Sequence, residues 1–270
     1  MKSKAPALPY ILWMVLFTII PLGLVVFFAF TSDSNTFTLD SFKSILQYTP
    51  VLLKSLKLAT IATVICLLLG YPAAFIMSRA EVKAQRMIMM LIMLPMWMNF
   101  LLRTYAWMTL LEGTGLINGL FSLVGLGPFK MINTEGAVVV GMVYNYLPFM
   151  VLPLYSIMEK IDKSVIEAAQ DLGSNGRKVL VKVLLPLSMP GIVTGVTMVF
   201  VPAVSTFIIS RLLGGGKHRL IGDLIEKLFI GDAPDFHAGS AMALILMVIM
   251  LICMGVMNRL DDEDKEGMVI

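Results

Sequence analysis

The sequence predicts an all-α membrane protein with six transmembrane helices, and three observations support this fold class. First, the 270 residues are 58% hydrophobic and only 14% charged, whereas an ordinary soluble domain carries roughly a quarter charged residues. Second, six apolar stretches are each long enough to cross a bilayer core of about 30 Å as a helix. Third, the sequence lacks the alternating pattern of a membrane β-barrel, and a helix satisfies its own backbone groups in lipid.

The six predicted spans follow one another with short connections between them. They lie at residues 10–30, 56–77, 87–111, 137–158, 190–213 and 238–257. These connections leave no room for a separate soluble catalytic domain, so we expect residues 1–270 to form a single transmembrane domain. The longest connection, residues 159–189, is long enough to have a function of its own.

The distribution of lysine and arginine predicts that both termini lie in the cytoplasm. Cationic residues are enriched in the cytoplasmic connections of membrane proteins. The short connection with Arg79, Lys83 and Arg86 would lie inside. The long connection at residues 112–136 carries the single cation Lys130 and would lie outside. In this orientation the connection between the fourth and fifth spans is a cytoplasmic loop.

The composition disfavours several classes of function. A formal net charge of +3, with no block of basic residues, disfavours a nucleic-acid partner. Cys66 and Cys253 each lie in an apolar run, which disfavours a disulfide scaffold and a cysteine metal site. His218 and His237 lack a third ligand nearby, so we predict no metal site and no cofactor.

The loop at residues 159–189 contains two short predicted helices. Ser164 followed three residues later by Glu167 is typical of a capping box at a helix start, and Gly173 is a natural helix stop. The resulting helix, of about nine residues, is too short to be stable alone in water. A second short helix is predicted at residues 176–185, ending before the proline that follows. From spacing alone two interpretations remain open: the loop docks on a cytosolic partner, or it packs against its own helix bundle.

The same loop carries a longer sequence pattern. It reads Glu167-Ala168-Ala169, three residues, Gly173, nine residues, Val183, one residue, Leu185 and Pro186. This pattern resembles the EAA signature of ABC importer permeases, from which only Val183 departs, conservatively. The resemblance implies that the loop forms a coupling helix that docks into a cleft of an ATPase subunit. The residues expected to carry this contact are Glu167, Ala168, Ala169, Asp171, Gly173, Leu185 and Pro186.

The resemblance to ABC importer permeases extends over residues 9–260 and implies the fold of a type I importer permease. Five shorter segments resemble, more narrowly, the permeases of spermidine/putrescine importers. These segments are Gly70–Ala74, Leu94–Trp97, Arg103–Tyr105, Leu147–Tyr155 and Leu220–Gly222. The family implies a bacterial inner-membrane assembly with a second homologous permease, two copies of an ATP-binding subunit and an extracytoplasmic solute-binding protein. We therefore predict a polyamine permease subunit, with a permease for another small solute as the alternative.

Two other classes of function compete with this prediction. A stand-alone channel or secondary carrier would need no ATPase, but the absence of Asp and Glu from the six predicted spans disfavours a proton-driven carrier. A membrane-embedded enzyme would need His, Asp or Glu clustered at one depth, which the spans do not offer. The sequence also lacks the G-x-x-x-x-G-K-[ST] phosphate-binding motif, so we expect ATP hydrolysis in a separate subunit and no catalysis here.

Polar and aromatic side chains within the spans are candidates for a translocation path, because polar atoms at membrane depth usually face a cavity or a partner. The candidates are Asn99, Tyr144, Asn145, Thr197, Ser205 and Phe207. Any one of them could instead hydrogen-bond a neighbouring helix, but as a group they indicate the helix faces around a path. At the outer mouth, Arg211 and Glu226 have opposite charges and could pair across a closed gate above Phe207. Because the six predicted spans carry no Asp or Glu, a polyamine would rely within the membrane on charges of the second permease or on aromatic faces.

Overall fold

The computed structural model describes residues 8–32 and 36–267, and this part of the chain is almost entirely helical. The helices of the first half are α1 (Leu8–Met14), α2 (Ile20–Phe30), α3 (Asp40–Ile45), α4 (Thr49–Arg79), α5 (Val82–Trp97), α6 (Phe100–Leu111) and α7 (Leu116–Leu123). Those of the second half are α8 (Glu135–Met158), α9 (Lys163–Asp171), α10 (Gly176–Val179), α11 (Leu185–Leu187), α12 (Met189–Ser205), α13 (Ile208–Leu213), α14 (Ile221–Ile230) and α15 (Phe236–Gly267). The segments that join some of them are the π-helical Val15–Ile19 and Leu180–Leu184 and the 3-10 turn Leu46–Tyr48.

Several of these helices are long and apolar enough to cross a membrane. The four continuous segments of this kind are Pro9–Phe30, Asp40–Arg79, Glu135–Met158 and Phe236–Met257. Two further segments reach this length only as pairs of helices joined at a sharp bend. In the first, α5 is followed by α6 and α7 at 92°, and in the second, α10 and α11 are followed by α12 at 70°. The described residues therefore hold four spans, or up to six if each bent pair crosses once, and the count of six stays a prediction.

The centre of the bundle is formed by α4, α8 and α12, which pack on one another through small residues. A Cβ added at Gly70 of α4 would lie 3.0 Å from Met150 Cγ of α8. A Cβ added at Gly195 of α12 would lie 2.8 Å from Met150 Sδ. Gly191, four residues earlier, faces the carbonyl oxygen of Pro153, which a Cβ would approach to 3.1 Å. This G-x-x-x-G spacing allows transmembrane helices to pack closely.

The first span lies at the edge of the bundle. It is formed by α1, the π-helical Val15–Ile19 and α2, and α2 packs mainly against α15. No residue of its most apolar stretch is buried, and Tyr10, Trp13 and Phe17 are each more than half exposed. In a membrane protein such a surface faces lipid or another subunit, because apolar side chains of this size do not face water.

The third predicted span, residues 87–111, is not one continuous helix, and whether it crosses the membrane as a single bent span stays a prediction. The helix is interrupted between Trp97, where α5 ends, and Phe100, where α6 begins. At the break Asn99 caps α6, because its Oδ1 accepts a hydrogen bond from the backbone N–H of Leu101 at 2.8 Å. The cap satisfies donors that would otherwise be unpaired, so the helix can break inside an apolar stretch.

The fifth predicted span, residues 190–213, is also broken. α12 ends at Ser205, Phe207 adopts a non-helical backbone, and α13 begins at the next residue. Pro202, within the last turn of α12, has no N–H to donate and weakens the helix near its end. The short α13 then packs against α6 and α8.

The other four predicted spans each correspond to one helical segment. The first and fourth agree closely with their predicted bounds. The spans predicted at residues 56–77 and 238–257 are parts of the longer helices α4 and α15. Polar residues end an apolar stretch without ending a helix, so hydropathy underestimates the length of such helices.

Candidate coupling loop and translocation path

The start of α9 is held by Asp162, which the sequence pattern did not identify. Its Oδ1 accepts a hydrogen bond from the backbone N–H of Ser164 at 3.0 Å. Hydrogen bonds from the backbone and then the side chain of Ser164 hold the pKa of the Asp162 carboxyl below its usual value. Ser164 is therefore inside the helix, and the predicted capping box of Ser164 and Glu167 is wrong. The extended backbone of Asp162 decides which residue caps.

The loop around α9 exposes apolar side chains. No residue of α9 is buried. Leu172, directly after the helix, is 87% exposed, and Val165 is 41% exposed. A helix of about this length gains little stability by itself in water, and the exposed apolar side chains are available for the predicted contact with a partner, which stays a prediction. The predicted coupling residues that are exposed are Glu167, Ala168, Asp171, Gly173, Leu185 and Pro186, and Ala169 is half-buried.

Gly173 ends α9 in a left-handed conformation, with φ of +79°. Its backbone N–H donates to the carbonyl oxygen of Gln170 at 2.8 Å, and that of Ser174 donates to the carbonyl oxygen of Ala169 at 3.0 Å. A Cβ at Gly173 would meet no atom within 4 Å. The backbone conformation, and not a lack of space, therefore favours glycine at this position.

A helical connection leads from this loop to α12. Asn175 caps α10 by accepting a hydrogen bond from the backbone N–H of Lys178 at 2.9 Å. The chain then passes through a π-helical segment and α11 and bends by 70° at Ser188, whose Oγ lies 3.0 Å from the hydroxyl of Tyr71 on α4. The second helix of the loop is thus longer than predicted. Pro186 follows the π-helical segment, where the hydrogen-bond pattern is already altered, so it does not end the helix.

A second connection joins the start of α9 to α4. Arg79, the last residue of α4, donates from Nη1 to the carbonyl oxygen of Ile161 at 3.0 Å. Its guanidinium lies 5.8 Å from the centroid of the Phe75 ring. A cavity of about 590 Å³ separates α4 from the loop. The residues lining this cavity include Tyr71, Phe75, Ile166, Gln170 and Leu184. Sequence reasoning missed Arg79, Tyr71 and Ser188 because they join segments that are far apart in the chain.

The polar path candidates all make local hydrogen bonds. Asn99 caps α6, and the Nδ2 of Asn145 donates to the carbonyl oxygen of Gly141 at 2.9 Å. The hydroxyls of Thr197 and Ser205 donate to carbonyl oxygens four residues earlier, at 2.8 and 3.2 Å. Asn145 is only 2% exposed, whereas Asn99 and Ser205 are exposed, so the structure does not bring all of them to one surface. Their role in a path stays a prediction.

The aromatic path candidates lie near the two helix breaks. The ring of Tyr144 packs edge to face on Trp107 of α6, with centroids 5.3 Å apart. Phe207 lies in the break between α12 and α13 and is 37% exposed. The hydroxyl of Tyr146 donates to the carbonyl oxygen of Pro202 at 3.3 Å. Phe207 is therefore exposed, whereas Tyr144 is half-buried.

An ion-pair network stands next to Phe207. Nη2 of Arg211 contacts Oε2 of Glu226, and Nε of Arg211 lies 4.0 Å from Oδ1 of Asp223. The other Asp223 oxygen, Oδ2, accepts hydrogen bonds from the hydroxyl of Ser210 at 2.5 Å and from the backbone N–H of Leu220 at 3.0 Å. Burial raises the pKa of the Asp223 carboxyl, although these hydrogen bonds and the charge of Arg211 oppose the shift. The structure thus places Arg211 and Glu226 in contact, and their function as a gate stays a prediction.

A second charged cluster joins the start of α4 to the start of α8, at the end of the bundle that is predicted to lie outside. Nζ of Lys54 lies 3.1 Å from Oε1 of Glu135, and Nζ of Lys57 lies 3.7 Å from Oε2 of the same carboxylate. Nδ1 of His218 lies 2.9 Å from Lys54 Nζ. Through His218 the loop after α13 contacts α4 and, through Glu135, α8. The sequence alone did not indicate this contact.

A family model now adds to this geometry. The model of the binding-protein-dependent transport system inner membrane component matches residues 67–263. This range begins within α4 and includes both bent helix pairs and the whole loop at residues 159–189. The chain belongs to this family. The ABC importer permease fold that the EAA pattern predicted is confirmed, and the protein is an inner-membrane transport component.

Two curated relatives are similar over most of their length. The spermidine/putrescine transport system permease protein PotB of Haemophilus influenzae is 39% identical over 257 residues, which cover 92% of this chain and 90% of the relative. The protein of the same name from Escherichia coli K12 is 37% identical over 248 residues, covering 88% of this chain and 90% of the relative. Matches of this extent indicate that this chain and the two relatives share one domain organisation over nearly their whole length.

Solved structures show the same fold at much lower identity. A bacterial ABC transporter involved in the import of the acidic polysaccharide alginate matches with a TM-score of 0.81 and 17% identity. The match covers 96% of this chain and 94% of the solved chain. The agreement concerns the fold alone, because the identity is too low to carry information about the solute.

Proposed function

We propose that the protein is the transmembrane permease subunit of an ATP-driven importer for polyamines such as spermidine and putrescine. The solute assignment is supported by the two PotB relatives, whose identity of 39% and 37% extends over nearly the whole chain. It is also supported by the segments that resemble spermidine/putrescine permeases, which are distributed from α4 to α14. The main alternative is a permease for another small solute.

The proposed assembly contains a second homologous permease, two copies of an ATP-binding subunit and an extracytoplasmic solute-binding protein. ATP is hydrolysed by the separate subunit, since the sequence has no phosphate-binding motif of its own. The observation that carries this proposal is the exposed coupling segment around α9, with Leu172 at 87% exposure. A stand-alone channel or a secondary carrier has no need of such a surface.

The contacts of the coupling loop suggest how motion reaches the spans. Closure of the ATPase subunits displaces α9, and the cavity between the loop and α4 gives it room to move. The displacement passes along α10 and α11 to the bend at Ser188 and so to α12, while Arg79 connects the same loop to α4. α4 and α12 then shift together, which opens a path to the outer side as in alternating access.

Reconstitution of the complex tests the proposal. We expect the tagged permease to co-purify with the ATPase and the second permease, and the reconstituted complex to hydrolyse ATP faster when its binding protein carries spermidine or putrescine. An amino acid or an inorganic anion should give no stimulation. Purification without any ATPase would favour the stand-alone carrier, and stimulation by a different solute would overturn the polyamine assignment.

Removing the cap of α9 is expected to weaken coupling without preventing membrane insertion. Asp162→Ala removes the acceptor for the backbone N–H of Ser164, whereas Asp162→Asn keeps an acceptor oxygen in the same place. We expect the alanine variant to reduce binding-protein-stimulated ATP hydrolysis several-fold and the asparagine variant to resemble the wild type. Equal activity of the alanine variant and the wild type in proteoliposomes would show that the cap is dispensable for coupling.

A further inference from the structure

We propose that Phe207, Asp223 and Glu226 form a binding site for ammonium groups of the solute, which the side chain of Arg211 fills in this conformation. We call these three residues the cation slot. The inference rests on the proposed function as a polyamine permease and deepens it, because it assigns solute recognition to specific residues at the outer end of the bundle.

The cation slot surrounds the Arg211 guanidinium with groups that bind organic cations. Glu226 contacts Nη2, Asp223 Oδ1 lies 4.0 Å from Nε, and the Phe207 ring centroid lies 6.0 Å from Cζ. Two carboxylates and an aromatic face are also the groups that attract an alkylammonium ion. The chain's own cation thus occupies a position that a solute amine could take.

One wall of the cation slot is rigid. Asp223 is 8% exposed, and its Oδ2 is held by the hydroxyl of Ser210 and the backbone N–H of Leu220. These two donors leave Oδ1 directed at Arg211. Because hydrogen bonds hold Oδ2, the Asp223 carboxylate keeps its position when Arg211 leaves. Another cation can therefore bind at Oδ1 without a rearrangement of the site.

The occupant of the cation slot is accessible and replaceable. The side chain of Arg211 is 50% exposed, and that of Glu226 is 27% exposed. A cavity of about 330 Å³ opens beside them, lined also by Arg219 and Lys227. A solute can therefore reach the Arg211 guanidinium without unfolding of α13 or α14.

The charge distribution favours a solute with more than one amine. While Arg211 is in place, it and the nearby Arg219 and Lys227 outnumber the two carboxylates, so a single additional positive charge gains little. Asp223 and Glu226 are three residues apart on α14, a spacing that places Cβ atoms about 5–6 Å apart on one helix face. A polyamine can replace Arg211 at both carboxylates together, whereas a monoamine replaces it at only one.

Exchange at the cation slot would also loosen the outer end of the bundle. Arg211 lies on α13 and both carboxylates lie on α14, so the ion pairs tie these two short helices together. When a solute binds the two carboxylates, the ion pairs between α13 and α14 are lost. Binding of the correct class of solute is thereby linked to release of the contact above Phe207.

Two variants with opposite expected effects test the cation slot. The complex is embedded in nanodiscs without its binding protein, and binding of radiolabelled spermidine is measured directly. Arg211→Gln removes the competing cation and should tighten spermidine binding by about tenfold. Glu226→Gln removes one of the two carboxylate charges and should weaken spermidine binding by about tenfold. Glu112→Gln makes the same chemical change at an exposed carboxylate that does not line this cavity and should leave binding unchanged.

The outcomes separate this inference from the proposed function. An ordinary structural ion pair predicts that both variants change spermidine binding in the same direction, and that result would overturn the cation slot. Unchanged binding in both variants, or binding undetectable in the wild type and in Arg211→Gln alike, would also overturn it. Import of spermidine by the wild-type complex with its binding protein is measured in parallel, and only failure of that import counts against the polyamine assignment.

Discussion

Replacing Gly173 with aspartate is expected to abolish solute-stimulated ATP hydrolysis while leaving membrane insertion intact. Gly173 has φ of +79°, a conformation that costs a residue with a Cβ about 1–2 kcal/mol. The new carboxylate would also stand at the C-terminal end of α9, where the helix dipole disfavours negative charge. Because a Cβ here meets no atom within 4 Å, the helix bundle itself should be unaffected. The measurement is ATP hydrolysis by the reconstituted complex with and without loaded binding protein.

Gly173→Asn is the matched control for this prediction. Asparagine has nearly the same size as aspartate and adopts the left-handed conformation about as readily, but it carries no charge, so the control isolates the effect of the charge. We expect it to retain a substantial part of the stimulation, with the same amount of protein in the membrane. Full stimulation in Gly173→Asp would remove the coupling role of the α9 end, and loss of the aspartate variant from the membrane would show that the residue serves folding instead.

Replacing Gly195 with valine is expected to destabilise the bundle by about 1–3 kcal/mol, the usual cost of overpacking a core. A Cβ at this position would lie 2.8 Å from Met150 Sδ and 3.3 Å from the Met150 carbonyl oxygen. The flexible thioether could move, but the backbone carbonyl of α8 cannot do so without separating α12 from α8. The measurement is the thermal unfolding midpoint of the purified complex, which should fall by several degrees.

Gly255→Val provides the control for the packing prediction. Gly255 lies within α15, and a Cβ there would meet nothing within 4 Å. The same substitution should therefore change the unfolding midpoint very little. Equal effects of the two substitutions would mean that helix propensity, and not the contact between α12 and α8, determines the result.

Much of the fold and the coupling loop could be predicted from the sequence, because these features depend on local composition and short patterns. Low charge and high hydropathy established the membrane class, and apolar stretches located the helical segments that became α2, α4, α8 and α15. The pattern from Glu167 to Pro186 identified the coupling loop, whose spacing is itself a short-range property. The opposite charges of Arg211 and Glu226 also anticipated a contact that the structure contains.

The breaks in two predicted spans could not be predicted in the same way. A hydropathy window adds the transfer energies of side chains and is insensitive to whether the backbone turns within the window. The bend before α6 depends on the Asn99 cap, and the break after α12 depends on how α13 packs against α6 and α8. The cap of α9 at Asp162 was missed for a related reason, since several neighbouring residues fit a capping pattern and only the backbone angles distinguish them.

The sequence by itself thus determined that this chain lies in a membrane, where its main helices run, and which loop is the candidate for contact with a partner. Only the tertiary structure decided where the helices bend, which polar side chains are buried, and that Arg211 lies between Phe207, Asp223 and Glu226. The physical reason is that burial of apolar surface depends on composition, which is local. Hydrogen bonds and ion pairs between α4, α13, α14 and the coupling loop depend on distances that exist only once the bundle has packed.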